Sequence, residues 1–108
     1  MKPCIIGNTQ KDYPGISITI PLPEVSEMHA QFHYKDGAFF LTDLRSVHGT
    51  WITNNEGRRY RIPPNDQARV RPSDVIDFGS QKASFRVKVI RSTPRASQNE
   101  GAPIYQQV

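Results

Sequence analysis

Turn residues punctuate this chain at intervals of about ten residues, and that spacing leaves room for short strands but not for helices of ordinary length. Ile16 to Ile20 reads I-S-I-T-I, which puts Ile16, Ile18 and Ile20 on one face and Ser17 and Thr19 on the other, the period of a half-buried strand. Pro21 and Pro23 end it and keep the backbone extended through a loop carrying Glu24 to Met28. Ala30 to Tyr34 and Phe39 to Asp43 are apolar, aromatic runs joined through Asp36-Gly37, a dipeptide that favours a tight hairpin. Thr50 to Thr53 and Arg59 to Ile62 flank Asn54, Asn55, Glu56 and Gly57, a second hairpin signal. Further strands are predicted at Ala68 to Val70, Val75 to Phe78 and Ser84 to Val89, the last with Phe85, Val87 and Val89 inward and Arg86 and Lys88 outward. Eight or nine such strands with no credible helix predict an all-β, antiparallel sandwich with functional loops at its ends.

Composition agrees. Ile and Val number 17 against 3 Leu and 6 Ala, so residues suited to pleated strands outnumber the best helix formers. From Arg91 onward Ser, Thr, Pro, Gln and Asn dominate, which divides the chain into a folded domain over residues 1–91 and a flexible tail over 92–108. No apolar run approaches the ~18 residues a membrane-spanning helix needs, and residues 1–20 hold no stretch resembling a secretory signal. The single cysteine, Cys4, forms no internal disulfide, so packing alone must hold the fold.

Three kinds of chemistry are open to these residues. Ser26, His29 and Asp43 are the ingredients of a hydrolytic triad, but no glycine-flanked nucleophile elbow surrounds Ser26. His29, His33, His48 and Cys4 match no metal-ligand spacing, so no metal is expected. His33 is expected to face solvent, with Phe32 and Tyr34 forming the core face. His29 follows a loop bend, where an imidazole can bond backbone groups across the bend. The net charge is +4, and five arginines (Arg58, Arg59, Arg61, Arg69, Arg71) stand against Glu56 and Asp66 in one short stretch. A basic run of this kind is either a solvated strand face or a nucleic-acid contact, and no nucleic-acid motif accompanies it. The solvated face is favoured, with no nucleic acid as partner.

The order S-E-M-H-A (Ser26 to Ala30), F-F-L-T-D-L-R-S-V-H-G-T (Phe39 to Thr50) and S-D-V-I-D-F-G (Ser73 to Gly79) resembles the forkhead-associated (FHA) domain. That family's pattern is a Gly-Arg pair, then Ser-x-x-His-Ala, Asp-Leu-x-Ser-x-Asn-Gly-Thr and Gly-Asp-x-Ile-x-Phe-Gly. The resemblance covers about residues 5 to 90. It implies a sandwich of about eleven strands that binds phosphothreonine peptides on the loops at one end. The runs Tyr34 to Ser46, His48 to Thr50, Asn55 to Arg61 and Phe85 to Arg91 are similar, more narrowly, to the carboxy-terminal FHA domain of the zeaxanthin epoxidase family. What that implies is a chloroplast flavoprotein monooxygenase that converts zeaxanthin to violaxanthin through antheraxanthin, in the xanthophyll cycle and upstream of abscisic acid. The FAD would belong to the parent enzyme, since no G-x-G-x-x-G fingerprint occurs here, and this fragment is expected to bind no cofactor and catalyse nothing.

Set against the FHA pattern, the ligand positions are altered. Gly7 matches the family glycine, but Asn8 stands where the pattern has the phosphate-clamping arginine. Ser26 matches the phosphate-binding serine, followed by Glu27, whose carboxylate opposes a phosphate. His48 replaces the asparagine that grips the peptide backbone, and Val47 before it offers no side-chain donor. His29, Gly49 and Thr50 are retained as loop-holding residues, with Gly49 in a turn expected to need a positive φ. Lys11 and Arg45 are the candidate auxiliary cations. The expected partner of this monomeric domain is a protein, either one bearing phosphothreonine or the parent's own catalytic domain. The phosphothreonine site itself is expected to be degenerate.

Overall fold

The computed structural model describes residues 3–9, 16–89 and 103–107. These form two five-stranded sheets. The strands are β1 Cys4–Gly7, β2 Ile16–Thr19, β3 Ala30–Lys35, β4 Ala38–Asp43, β5 Thr50–Thr53, β6 Arg59–Arg61, β7 Gln67–Val70, β8 Val75–Phe78, β9 Ser84–Val89 and β10 Pro103–Gln107. The first sheet runs β2-β1-β3-β4-β7 and the second β10-β9-β8-β5-β6. Every pairing among these strands is antiparallel except β1 with β2, which run parallel with Cys4 opposite Ile16. A 3-10 turn, Gln81–Ala83, is the helical element of the described residues, and none of their helices is long and apolar enough to cross a membrane.

The alternating pattern explains the packing. Phe32 and Leu41 from the first sheet meet Ile52, Ile76 and Val87 from the second, all at most 4% exposed, and Val25 and Ile62 from the loops close the core. Asp36 and Gly37 both adopt positive φ, 52° and 80°, between paired Lys35 and Ala38. Two consecutive positive values make the tight turn whose twist matches its flanking strands, which fixes the β3–β4 register as the sequence predicts.

The structure differs from expectation at four places. Cys4–Gly7 forms a strand although four residues carry no period of their own; its partners β2 and β3 define it. Pro103–Gln107, expected within a flexible tail, pairs along β9 from Val89 to Phe85. Its Ile-Tyr pair suits a strand, and the open edge of β9 supplies the partner that composition cannot reveal. The rest of the 92–108 tail lies outside the described residues. Tyr34 does not join Phe32 in the core: it is 45% exposed near the hairpin tip, its ring edge against Phe39 at 4.8 Å. His33, on the opposite face, is half-buried and stacks on Phe40 at 5.7 Å rather than facing solvent freely.

Ile52 is fully buried where the two sheets meet, so Ile52→Ala is expected to cost about 2–5 kcal/mol of unfolding free energy, read from the midpoint of denaturant-induced unfolding.

Candidate protein-recognition site

Strand directions gather several loops at one end of the sandwich. Ala30 opens β3 opposite Asp43 at the close of β4, and Thr50 opens β5 opposite Phe78 at the close of β8. The β2–β3, β4–β5 and β8–β9 connections therefore emerge together, beside the end of β1.

His29 ties them. Its Nδ1 accepts a hydrogen bond from the Ser26 backbone N–H at 2.9 Å, which leaves Nε2 as the protonated nitrogen, donating to the Gly49 carbonyl at 2.8 Å. The same carbonyl accepts from the Gly79 N–H, while the His29 backbone bonds Ile6 and Leu44. The ring is buried, edge-on to Phe78 at 5.8 Å. Burial pushes the His29 pKa below its ordinary value near 6.5, outweighing the favourable Gly49 carbonyl and the Asp43 carboxylate. A neutral imidazole is the form that fits.

A second anchor is Asp43, whose carboxylate accepts from the Ser46 N–H at 3.2 Å, from the Ser46 hydroxyl, and from the Thr50 hydroxyl at 2.7 Å. The backbone of Asp43 bonds Asp66 and Asn65, extending the hold to the β6–β7 loop. The sequence signals this clamp through Asp followed three residues later by Ser, an Asx-type arrangement, yet Asp43 entered the sequence reading only as a triad member. No triad forms, since both imidazole nitrogens of His29 are engaged by backbone groups and the Ser26 hydroxyl accepts instead from the Val47 N–H at 3.0 Å. Among the described residues no three His, Cys, Asp or Glu side chains gather to hold a metal ion.

The remaining site positions fall as follows. Gly7 is pressed against the β2–β3 loop, where any Cβ would stand 1.9 Å from the Glu27 carbonyl oxygen. Asn8 donates its N–H to the Ser26 carbonyl at 3.0 Å, so the position of the family arginine is brought next to Ser26 but carries an amide. Glu27 is exposed, as is Arg45 at φ 59°; Lys11 lies outside the described residues. Val47 is 76% exposed and Met28 44%, which places two large apolar side chains on these loops, a feature missed in the sequence. His48 is exposed and its carbonyl accepts from the Trp51 indole at 3.2 Å. Gly49 has φ 89°, as expected. The five-arginine run does not form one patch: Arg59 and Arg61 lie on β6 of the second sheet, whereas Arg69 lies on β7 of the first.

The FHA domain family profile matches residues 4–79. This chain belongs to the FHA domain family, a class of protein-interaction domains built as β-sandwiches. It is 64% identical over 100 residues to the chloroplastic zeaxanthin epoxidase of Prunus armeniaca, covering 92% of this chain and 15% of that protein. Against the chloroplastic zeaxanthin epoxidase of Arabidopsis thaliana it is 61% identical over 98 residues, covering 89% and 15%. The chain thus spans about 15% of the length of these relatives. The fold is similar to the solution structure of an FHA domain from an Arabidopsis thaliana hypothetical protein, with a TM-score of 0.60 at 23% identity, covering 73% of this chain and 60% of that one. It is also similar to the FHA-2 domain of a Mycobacterium tuberculosis ABC transporter, with a TM-score of 0.56 at 21% identity, covering 96% and 73%.

Two predictions test the loop architecture. Gly49→Val forces a branched residue to positive φ with its Cβ 2.6 Å from Arg61 Nε and 3.0 Å from Trp51 Nε1, and should cost on the order of 1–3 kcal/mol from backbone strain alone. A thermal melt that matches the unsubstituted protein contradicts this turn. For His29, the unfolded chain takes up a proton at a higher pH than the folded one, so stability is full above about pH 6.5 and falls as the pH drops below it toward 5. Denaturant midpoints measured at pH 7.5, 6.5 and 5.5 should decline in that order, and His29→Gln should remove this part of the decline.

Proposed function

We propose that this domain is the protein-docking module of a chloroplast zeaxanthin epoxidase, and that its loops hold a protein partner without depending on phosphothreonine. The parent reaction, an FAD-dependent monooxygenation of zeaxanthin to violaxanthin through antheraxanthin, is assigned to the parts of such an enzyme beyond this chain. The identity to zeaxanthin epoxidases over about nine-tenths of the chain supports that parent and a plastid location. The partner in this reading is the parent's own catalytic domain or another plastid protein, met by a monomeric module.

One observation carries the phosphate-independent part. Where the Asn8 backbone meets Ser26 the side chain is a neutral amide with its Oδ1 buried, not a cation, while Val47 and Met28 present apolar surface on the neighbouring loops. A phosphothreonine brings nearly two negative charges and needs fixed cations and donors around it. Hydrogen bonds to charged groups contribute about 1.5–3 kcal/mol, so loss of one arginine weakens phosphate binding by about ten- to a hundredfold. A second reading, retention of phosphothreonine binding, is favoured by the Ser26 hydroxyl: it accepts from Val47 and keeps its own O–H to donate.

Calorimetric titration of matched phosphorylated and unphosphorylated threonine peptides separates the two. The expected result is less than tenfold preference for the phosphorylated form, with Asn8→Arg/His48→Asn raising phosphopeptide affinity ten- to a hundredfold. Low-micromolar binding that needs the phosphate and vanishes in Ser26→Ala would establish the second reading instead.

A further inference from the structure

We propose that the outer face of the second sheet is a docking surface for an acidic polypeptide segment, gripped by Arg59, Arg61 and Arg86 around Trp51. The cross-strand register assembles this face from residues far apart in the chain. One row runs Arg61, Trp51, Asp77, Ser84; the next runs Arg59, Thr53, Val75, Arg86, with Lys88 two residues further along β9. Residues opposite one another in a ladder share a face, and Ile52 and Ile76 between them point inward to the core. Asp77 is buried, hydrogen-bonded by the Ser84 hydroxyl and bridged by Arg59 Nη2 at 3.2 Å, so its charge is spent inside the face. What the face turns to solvent is cationic: Arg61, Arg86 and Lys88 are exposed, and the Arg59 side chain remains 39% exposed.

The chemistry favours carboxylates carried on a polypeptide. Arg59 lies over the Trp51 ring at 4.2 Å and Arg61 stands 6.0 Å from its centroid, which holds the planar guanidinium groups in place; Arg59 spends Nη2 on Asp77 and keeps the rest of its 39% exposed side chain toward solvent. The Arg59–Asp77–Ser84 cradle is a built example of how this face takes a carboxylate: a guanidinium from one side and a hydroxyl from the other. Nucleic acid and lipid fit less well. The Trp51 ring has Arg59 over it and its N–H committed to the His48 carbonyl, so it is not a free platform for a base or an anchor at a membrane interface. Arg59 and Arg86 lie three strands apart, about 14 Å, a distance spanned by about four residues of extended chain. A segment crossing the strands with acidic residues about four apart therefore meets both. The face also joins the recognition loops, since Arg61 lies against Gly49 and Trp51 is bonded to His48, so a partner seated on those loops reaches it without a gap.

Trp51 is the single tryptophan of the chain, so its emission reports on this face directly. The probes are two synthetic twelve-residue peptides, three repeats of Glu-Gly-Ser-Ser and the same sequence with Gln for Glu, titrated at low ionic strength. The Glu peptide is expected to shift the emission and bind at least tenfold more tightly than the Gln peptide, with the difference shrinking as salt is added. Arg61→Gln/Arg86→Gln should erase the difference, while Arg69→Gln, on the other sheet, and Ser26→Ala, in the loops, should keep it. Equal binding of the two peptides by the unsubstituted protein overturns the proposal whatever the variants do. Tighter binding of a random duplex DNA than of the Glu peptide at the same ionic strength overturns it in favour of a nucleic-acid face. Neither result bears on the loop reading, which the threonine peptides test separately.

Discussion

The hydrogen bonds of one neutral imidazole hold the recognition end together. Without His29 the Ser26 N–H would lose its acceptor and the Gly49 carbonyl would keep only the Gly79 N–H, and a buried amide group left without a partner costs about 1–3 kcal/mol. Phe78 packs edge-on against the ring and holds it between the two groups. Asp43 joins the β4–β5 and β6–β7 loops as His29 joins the β2–β3 and β4–β5 loops, using the carboxylate for Ser46 and Thr50 and the backbone for Asn65 and Asp66. Both anchors are buried polar groups whose hydrogen bonds go to protein partners, and such networks specify one arrangement of the chain around them.

That architecture separates the support of the site from its surface. Gly7, His29, Gly49 and Thr50 face inward or backbone-ward and set loop shape, whereas Glu27, Val47 and His48 are exposed on the same loops and Asn8 is half-buried with its Oδ1 turned in. The inner hydrogen bonds run between backbone groups and two buried side chains, so they do not depend on the side chains of the outer set. On this FHA frame the exposed Val47 and Met28 put apolar surface on the same loops. On the second sheet Arg59 lies over the Trp51 ring and Arg61 beside it.

The strands that repeat a two-residue period were legible in the sequence, from Ile16 through Val89, as was the Asp36-Gly37 turn that fixes the central hairpin. The strands at each end of the chain were not. Cys4–Gly7 and Pro103–Gln107 are too short or too polar in context to announce themselves, and each exists because a neighbouring strand offers an edge. The site divided in the same manner. Motif order identified Ser26, His29, Gly49 and Thr50, because those positions follow the family pattern along the chain. The grouping of Arg59, Arg61 and Arg86 around Trp51 depends on register across four strands, and a linear reading instead joined Arg59 to Arg69, which belongs to the other sheet.

The state of His29 is the most direct measure of this account. Long-range proton–nitrogen correlation on uniformly labelled protein at neutral pH distinguishes the two ring nitrogens. The expected result is a neutral ring protonated at Nε2, with Nδ1 bare and accepting from Ser26, and a cross-correlation linking Nε2–H to the Gly49 carbonyl. A ring protonated at Nδ1, or one doubly protonated at pH 7, would contradict it, since neither can accept the Ser26 N–H and donate to Gly49 as the loops require.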